Sequence, residues 1–149
     1  MDVTPSEDVR TQARELALKL LYVLDVSRPG AAPESAEAEV RKVLEVEHHP
    51  AAVGDFAKLL TDGVRENQAL LDKAIQDAAV NWQVSRMPYV DRAILRMGVF
   101  ELLHMFDVPP KVTINEAVDL AKKYSTEKSG AFVNGVLDKV FQTLCPQKA

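Results

Sequence analysis

The sequence predicts an all-α protein of about seven helices. Apolar residues recur at helical spacing through nearly all of its 149 residues, and no segment alternates between polar and apolar residues as a strand does. The eight prolines and six glycines fall mostly between the periodic segments, where they would end helices. A chain of this length can bury a core without disulfides or metals. We therefore expect a single helical domain over residues 1–149.

The first predicted helix begins after Pro5-Ser6, with Ser6 as the N-cap and acidic residues in the first turn. Its apolar stripe ends before Arg28-Pro29-Gly30, because proline and glycine both oppose a further helical turn. A second, acidic helix is predicted at residues 34–47. The sequence His48-His49-Pro50 separates it from the next helix.

The middle of the chain predicts two further helices, Ala52–Arg65 and Gln68–Asn81, each with its own apolar stripe. The short polar stretch between them suggests a division of the domain into two helical subdomains. We place these at about residues 1–66 and 67–149.

The last three predicted helices follow Pro88. The fifth, Tyr89 to about Phe106, is apolar on most of its surface and is expected to be the most buried. The sixth is predicted to start at a capping box, in which Thr113 and Glu116 satisfy each other's backbone donors, and to end near Tyr124. A polar link at 125–129 leads to the final helix.

Composition excludes several classes of protein. No apolar run is long enough to cross a bilayer, the N-terminus does not read as a secretory signal, and a single cysteine cannot form an internal disulfide. We therefore expect a cytoplasmic protein. The net charge of −4 argues weakly against nucleic-acid binding. However, residues 82–149 carry nine basic and seven acidic side chains, so a local basic patch is compatible with the sequence.

Candidate catalytic groups are sparse. The glycines form no phosphate-binding loop, His48 and His49 are adjacent and suit a solvated loop better than a metal site, and His104 stands alone. Cys145 has no base near it in the sequence. We expect no catalysis, no metal and no cofactor.

A ridge on the first helix is a candidate RNA-binding surface. At about 100° per residue, Arg10, Arg14, Leu18 and Tyr22 fall in one row beside the core stripe. Two arginines next to a tyrosine suit phosphates and a stacked base. The alternative is that Leu18 and Tyr22 pack on a neighbouring helix while both arginines are solvated.

Basic residues of the second half offer further candidates. Arg96 is expected to be buried against a carboxylate, either Glu116 or Glu101, whereas Arg92 is expected to be more exposed. Lys128 belongs to a lysine cluster that precedes Phe132. Gly135, a poor helix former inside the final helix, is interpreted as a site of close helix packing.

Several strings of the sequence resemble one known family, and they occur in the right order over most of the chain. They are Ala13–Leu18 with Leu21-Tyr22, Asp91–Arg96 with Glu101-Leu102, Pro110–Lys122, and Phe132–Asp138. The family is NusB, whose members are bacterial transcription antitermination factors. The resemblance implies a helical NusB-like fold of two subdomains. The same fold also forms the N-terminal domain of ribosomal RNA cytosine methyltransferases, but these 149 residues contain no methyltransferase domain.

The resemblance also implies a function. Family members bind the boxA element of nascent ribosomal RNA transcripts together with NusE, a small-subunit ribosomal protein, and present both to the elongating RNA polymerase. NusE is expected around the predicted fourth and fifth helices, and the free protein could be a monomer or a homodimer. The RNA-facing residues that this reading implies are Arg10, Gln12, Arg14, Tyr22, Asp91, Arg92, Lys128 and Phe132.

One departure from the family pattern bears on RNA affinity. Thr11 and Gln12 stand where further arginines are usual. Together with the acidic middle of the chain, this departure supports an alternative function, a helical protein-interaction module with little or no RNA binding of its own.

Overall fold

The computed structural model describes residues 6–26, 38, 41–43 and 49–148, and this part of the chain is all-helical, without a β-strand. Its α-helices are α1 (Glu7–Val26), α2 (Ala51–Ala78), α3 (Tyr89–His104), α4 (Pro110–Tyr124) and α5 (Glu127–Leu144), and a 3-10 helix covers Val84–Arg86. The predicted fold class is confirmed. Of the predicted second helix, residues 38 and 41–43 are helical, and the rest lies outside the described residues, as does His48.

Helix α1 begins where the sequence predicted. The Ser6 hydroxyl accepts a hydrogen bond from the backbone N–H of Val9 at 3.3 Å, and the Ser6 carbonyl accepts one from Arg10 at 3.0 Å. Glu7 and Asp8 lie in the first turn, where negative charge is favourable to the helix dipole. Ser6 is therefore the N-cap.

Helix α2 is a single helix of 28 residues, so the predicted break between two helices at residues 65–68 is wrong. The apolar positions stay in phase through it, and all of the following are buried: Leu60, Val64, Leu71 and Ile75. Residues 64–78 contain neither proline nor glycine. The side chain of Asn67 donates to the carbonyl oxygen of Gly63 at 2.8 Å, which accommodates a polar residue inside the helix.

Helix α4 begins four residues earlier than predicted, with Pro109 and not Thr113 as its N-cap, because Pro110 occupies its first turn with a backbone angle already suited to a helix. The predicted capping box is therefore wrong. Thr113 is buried inside the helix, and its hydroxyl donates to the Glu101 carboxylate of α3 at 3.3 Å. Helix α3 ends at His104 rather than Phe106.

The chain divides into two compact units, residues 1–62 and 63–149, with the boundary inside α2. In the first unit, α1 and the start of α2 supply the buried apolar side chains, which include Leu16, Leu20, Phe56 and Leu60. In the second unit α3, α4 and α5 pack against one another. Helix α3 is buried on nearly every side, as expected.

Glycine permits two close contacts in the second unit. A Cβ atom at Gly63 would overlap the ring of Phe100, and one at Gly98 would lie 2.8 Å from Cδ1 of Leu137. Gly135 differs, because it is exposed and a Cβ there would have nothing within 4 Å. The interpretation of Gly135 as a packing glycine is therefore wrong, whereas Gly63 and Gly98 do permit close packing.

Arg96 is buried as predicted, but its partner is Asp72 of α2. Its Nε lies 2.7 Å from Oδ1 and its Nη2 lies 3.0 Å from Oδ2 of that carboxylate. Glu101, one of the two predicted partners, is five positions further along α3 and therefore about 140° around the helix from Arg96. Glu101 instead accepts the hydrogen bond from Thr113. No helix in the described part of the chain is both long and apolar enough to cross a membrane.

Candidate nucleic-acid interface

Five aromatic and basic side chains of the second unit lie on neighbouring segments: the loop after α2, the first turn of α3 and the first two turns of α5. We call them the basic–aromatic surface; its members are Trp82, Tyr89, Arg92, Lys128 and Phe132. Three of them, Arg92, Lys128 and Phe132, were predicted from the sequence.

Trp82 lies in the loop that follows α2. Its backbone N–H donates to the Ala79 carbonyl at 3.0 Å, and its own carbonyl accepts from the side-chain amide of Gln76. The Oε1 atom of the same Gln76 accepts from the backbone N–H of Val84 at 3.0 Å, so one side chain holds the backbone at Trp82 and two residues beyond it. The indole is 57% exposed, and its ring centroid lies 5.7 Å from that of Phe132, at an interplanar angle of 60°.

Tyr89 and Arg92 form a ring–cation pair in the first turn of α3. The guanidinium carbon of Arg92 lies 4.4 Å from the centroid of the Tyr89 ring, within cation–π range. Arg92 also donates from Nη1 to the Ser85 carbonyl at 3.3 Å. Ser85 is three residues beyond Trp82, so this bond connects α3 to the Trp82 loop.

Lys128 and Phe132 are one helical turn apart and share a face of α5. The helix is capped by Thr126, whose hydroxyl accepts from the backbone N–H of Ser129 at 3.0 Å. Lys128 is exposed and Phe132 is half-buried against Trp82. A cation therefore lies beside an aromatic pair, which suits a phosphate next to a stacked base.

Asp91 was predicted to face RNA, but it is buried at 5% exposure. Its Oδ2 accepts a hydrogen bond from the Ser129 hydroxyl at 2.9 Å. Because Asp91 lies in the first turn of α3 and Ser129 in the first turn of α5, this bond holds together two of the segments that carry the basic–aromatic surface. Asp91 is therefore a buried structural contact of the basic–aromatic surface in this structure and not one of its exposed members.

The ridge on α1 belongs to the first unit and differs from its prediction. Arg10 and Arg14 are only 5% and 2% exposed, and Leu18 is buried too, so three of the four residues of the ridge are buried and only Tyr22 is exposed. The alternative, with both arginines solvated, is equally wrong. The remaining predicted residues of this helix, Gln12 and Tyr22, are exposed.

Two contacts within the first unit show how the arginines are accommodated. The guanidinium of Arg10 lies 5.2 Å from the ring centroid of Phe56, and Nη1 of Arg14 lies 4.0 Å from a carboxylate oxygen of Glu7. Periodicity places a residue on a side of the helix. It does not show that α2 supplies an aromatic ring for Arg10 to cover.

Trp82 and Tyr89 were missed by sequence reasoning. Both stand at helix boundaries, outside the apolar stripes, where a large ring has no place in the periodic core. Their position at helix boundaries was the sequence signal that could have identified them as candidate surface residues. The sequence could not show that the Trp82 loop contacts α5, 50 residues later.

Titratable groups near the end of α5 are buried rather than arranged for catalysis. Burial raises the pKa of the Cys145 thiol, and the nearby Lys148 partly opposes that rise. Burial also lowers the pKa of Lys148, whose Nζ donates to the carbonyl oxygens of Glu101 and Leu102. Within the described residues, no group of three or more potential metal ligands comes together.

Comparisons with known proteins agree with this architecture. Residues 11–142 match the NusB family. The chain is 49% identical over 140 residues to transcription antitermination protein NusB of Anaeromyxobacter dehalogenans, covering 93% of this chain and 94% of that protein.

Two solved structures are similar at the level of fold and sequence. A Thermotoga maritima NusB structure has a TM-score of 0.78 and 32% identity, with 98% of this chain and 96% of that chain covered. A crystal structure of the antitermination factors NusB and NusE with double-stranded RNA contains a chain with a TM-score of 0.76 and 32% identity, with 92% and 98% covered. On the match of residues 11–142 and the identity to these proteins, this chain belongs to the NusB family.

Proposed function

We propose that this chain is a non-catalytic, RNA-binding transcription antitermination factor, which binds the boxA element of nascent ribosomal RNA transcripts together with NusE. Membership of the NusB family supports this role. The observation that carries the RNA-binding part is the basic–aromatic surface. There Arg92 lies over the exposed ring of Tyr89, and the exposed Lys128 lies one helical turn from Phe132, which contacts the exposed ring of Trp82.

The chemistry of this surface suits RNA. Single-stranded RNA offers unpaired base faces that stack on aromatic side chains, and its phosphates are attracted to lysine and arginine. The chain as a whole is acidic, with a net charge of −4, so non-specific attraction to polyanions is weak. Binding then depends on the local surface, and we expect modest affinity for RNA alone and higher affinity with NusE.

The proposed mechanism is assembly. The protein holds boxA and NusE close together and presents them to the elongating RNA polymerase in the cytoplasm. NusE would bind next to the RNA surface, around the second half of α2 and α3. In the free state the protein could form a homodimer, which sedimentation at several concentrations would reveal.

Helix α1 would contribute through its exposed residues, Gln12 and Tyr22. Arg10 and Arg14 remain predicted RNA-facing residues. Their burial, however, indicates that their main contribution is to the stability of the unit formed by residues 1–62. Replacing either should therefore lower the melting temperature, which was not expected from the sequence alone. An effect on RNA binding must be measured on protein that is shown to be folded.

A titration tests the proposal. Fluorescently labelled boxA RNA is titrated with the protein, with and without NusE, and a scrambled RNA of equal length is the control. We expect a preference for boxA, largest with NusE present. We also expect Lys128→Ala to flatten the log–log salt dependence by about 0.7, the value for one lost phosphate contact on single-stranded RNA. Equal binding of boxA and scrambled RNA with NusE present would contradict the proposal.

The second candidate function is a helical protein-interaction module. The burial of Arg10 and Arg14 favours it, because it removes two cations from the accessible surface. On this alternative the protein binds NusE tightly but shows no RNA preference in the same titration, and Lys128→Ala leaves every binding curve unchanged.

A further inference from the structure

The indole of Trp82 is the part of the basic–aromatic surface that the sequence did not single out. Large aromatic side chains are mostly buried in folded proteins, and an indole left 57% exposed keeps considerable apolar area in water. Phe132 covers one part of the ring, at 5.7 Å between centroids. The remaining area is available to a ligand.

The ring is also held in place before any ligand binds. Gln76 holds the carbonyl of Trp82 and the N–H of Val84, the N–H of Trp82 donates to Ala79, and Phe132 contacts the ring. A ring that is already ordered loses little conformational entropy on binding, so stacking on it contributes more of its energy to affinity. This arrangement is typical of an aromatic anchor in a binding site.

The charges around Trp82 indicate what the ligand is. Lys128 is exposed one turn from Phe132, and Arg92 is tied to the Ser85 carbonyl of the same loop. The carboxylate of Asp91, next to Arg92, is buried and engaged by Ser129. A flat apolar ring with cations beside it fits a polyanion that carries flat bases.

We infer that Trp82 is a base-stacking residue: its exposed indole face takes one unpaired nucleobase of a single-stranded RNA, while Lys128 and Arg92 contact flanking phosphates. This inference rests on the proposed function and adds a specific site to it. The inference also predicts that the RNA is single-stranded where it contacts Trp82. In a duplex each base face is covered by its neighbours, so only an unpaired base can lie on this ring.

Trp82 is the single tryptophan of the chain, which makes intrinsic fluorescence a direct reporter of this site. Single-stranded boxA RNA should quench the indole emission, and the quenching should saturate along the same curve as RNA anisotropy. A blunt duplex of the same sequence should quench far less. This measurement needs no mutation and is made at low salt, without NusE.

Three variants provide the second test. Trp82→Leu should weaken binding of single-stranded RNA by about 5- to 150-fold, the range for one lost stacking contact, without changing the salt dependence. Trp82→Phe keeps a smaller ring and should lose less. The matched control is Phe106→Leu, which removes an 85% exposed ring just beyond the other end of α3, about 24 Å along the helix, and should bind as wild type. Circular dichroism melts establish that each variant is folded.

The outcomes separate the inference from the proposed function. If wild type binds RNA but its emission does not change, and Trp82→Leu binds within twofold of it, the inference is wrong and the RNA-binding function stands. If Trp82→Leu loses affinity for NusE but not for RNA, Trp82 belongs to a protein interface and the inference is again wrong. If wild type binds no RNA even with NusE, the proposed function itself fails.

Discussion

The carboxylate of Asp91 accepts a hydrogen bond from the hydroxyl of Ser129 at 2.9 Å, across 38 residues of sequence. Both residues are buried, and the second carboxylate oxygen of Asp91, Oδ1, is buried without a hydrogen-bond partner among the described residues. The Ser129 hydroxyl is therefore important to this charge. The bond sets the first turn of α3 against the first turn of α5.

Removing that hydroxyl should destabilise the protein. We expect Ser129→Ala to lower the free energy of unfolding by about 1–3 kcal/mol, because a buried carboxylate loses its donor. Urea denaturation measures it. Thr143→Ala, at an exposed position of the same helix, is the control and should change stability by no more than about 0.5 kcal/mol. Equal midpoints for the two variants would show that the Asp91 carboxylate does not depend on Ser129.

The ion pair of Arg96 and Asp72 should contribute far more than a surface pair. Arg96→Ala leaves a half-buried carboxylate without its bidentate partner, and we expect a loss of about 3 kcal/mol, the low end for a broken buried pair. Lys73 and Asp77, an exposed pair on the same helix α2, provide the comparison. Lys73→Ala should cost less than about 0.5 kcal/mol. A double-mutant cycle with Arg96→Ala and Asp72→Asn measures the coupling energy of the pair. A coupling energy of zero would show that the Arg96–Asp72 pair does not contribute to stability.

Two glycines should respond in opposite ways to the same substitution. Gly63→Ala places a methyl group against the ring of Phe100 and should destabilise by about 1–3 kcal/mol through overpacking. Gly135→Ala meets open space on the exposed face of α5 and should stabilise by about 0.5–1 kcal/mol through helix propensity. Thermal melts of the two variants provide the test. Destabilisation by Gly135→Ala would mean that the glycine has a packing partner.

Thr113 distinguishes the observed helix start from the predicted one. Thr113→Val keeps the shape but removes the hydroxyl that donates to Glu101, and we expect a loss of about 1–2 kcal/mol. Thr113→Ser keeps the hydroxyl donor and should therefore lose less stability than Thr113→Val. If Thr113 capped α4 instead, valine would shorten the helix. A lower helical signal in circular dichroism, with unchanged packing, would reveal that outcome.

Cys145 should react slowly in the folded protein. Burial raises the pKa of its thiol above the ordinary value of 9.0, so less thiolate is present at pH 8 than in the unfolded chain. The folded state thus favours the protonated thiol, and this stabilising contribution is complete below the unfolded pKa and disappears as pH rises through the folded one. Iodoacetamide labelling with and without urea measures the difference. Equal rates at pH 8 would contradict it.

The fold could be predicted well where local chemistry decides it. Ser6 caps α1 because a hydroxyl at a helix start satisfies a free backbone N–H, and that rule needs no tertiary contact. The predicted break at residues 65–68 is wrong because four polar residues in a row do not end a helix when the apolar phase continues on both sides of them. The capping box failed because Pro110 had already started α4, and Thr113 found a partner on another helix.

The candidate site could be predicted only in part. Lys128 and Phe132 are visible in the sequence because they share a helix face. The burial of Arg10 depends on Phe56, and the position of Trp82 depends on Phe132, which are contacts between segments far apart in the chain. Helical periodicity contains no information about either.

The two-pronged bond from Arg96 to Asp72 has a geometric consequence for the neighbouring loop. If α3 slid along α2 by a single residue, it would move about 1.5 Å and lengthen both hydrogen bonds together. The guanidinium, together with the close contact of Phe100 with Gly63, therefore fixes the axial register of the two helices. The connecting residues 79–88 do not have to set that register. Insertions or deletions there would reposition the Trp82 ring while the helices beneath it stay aligned.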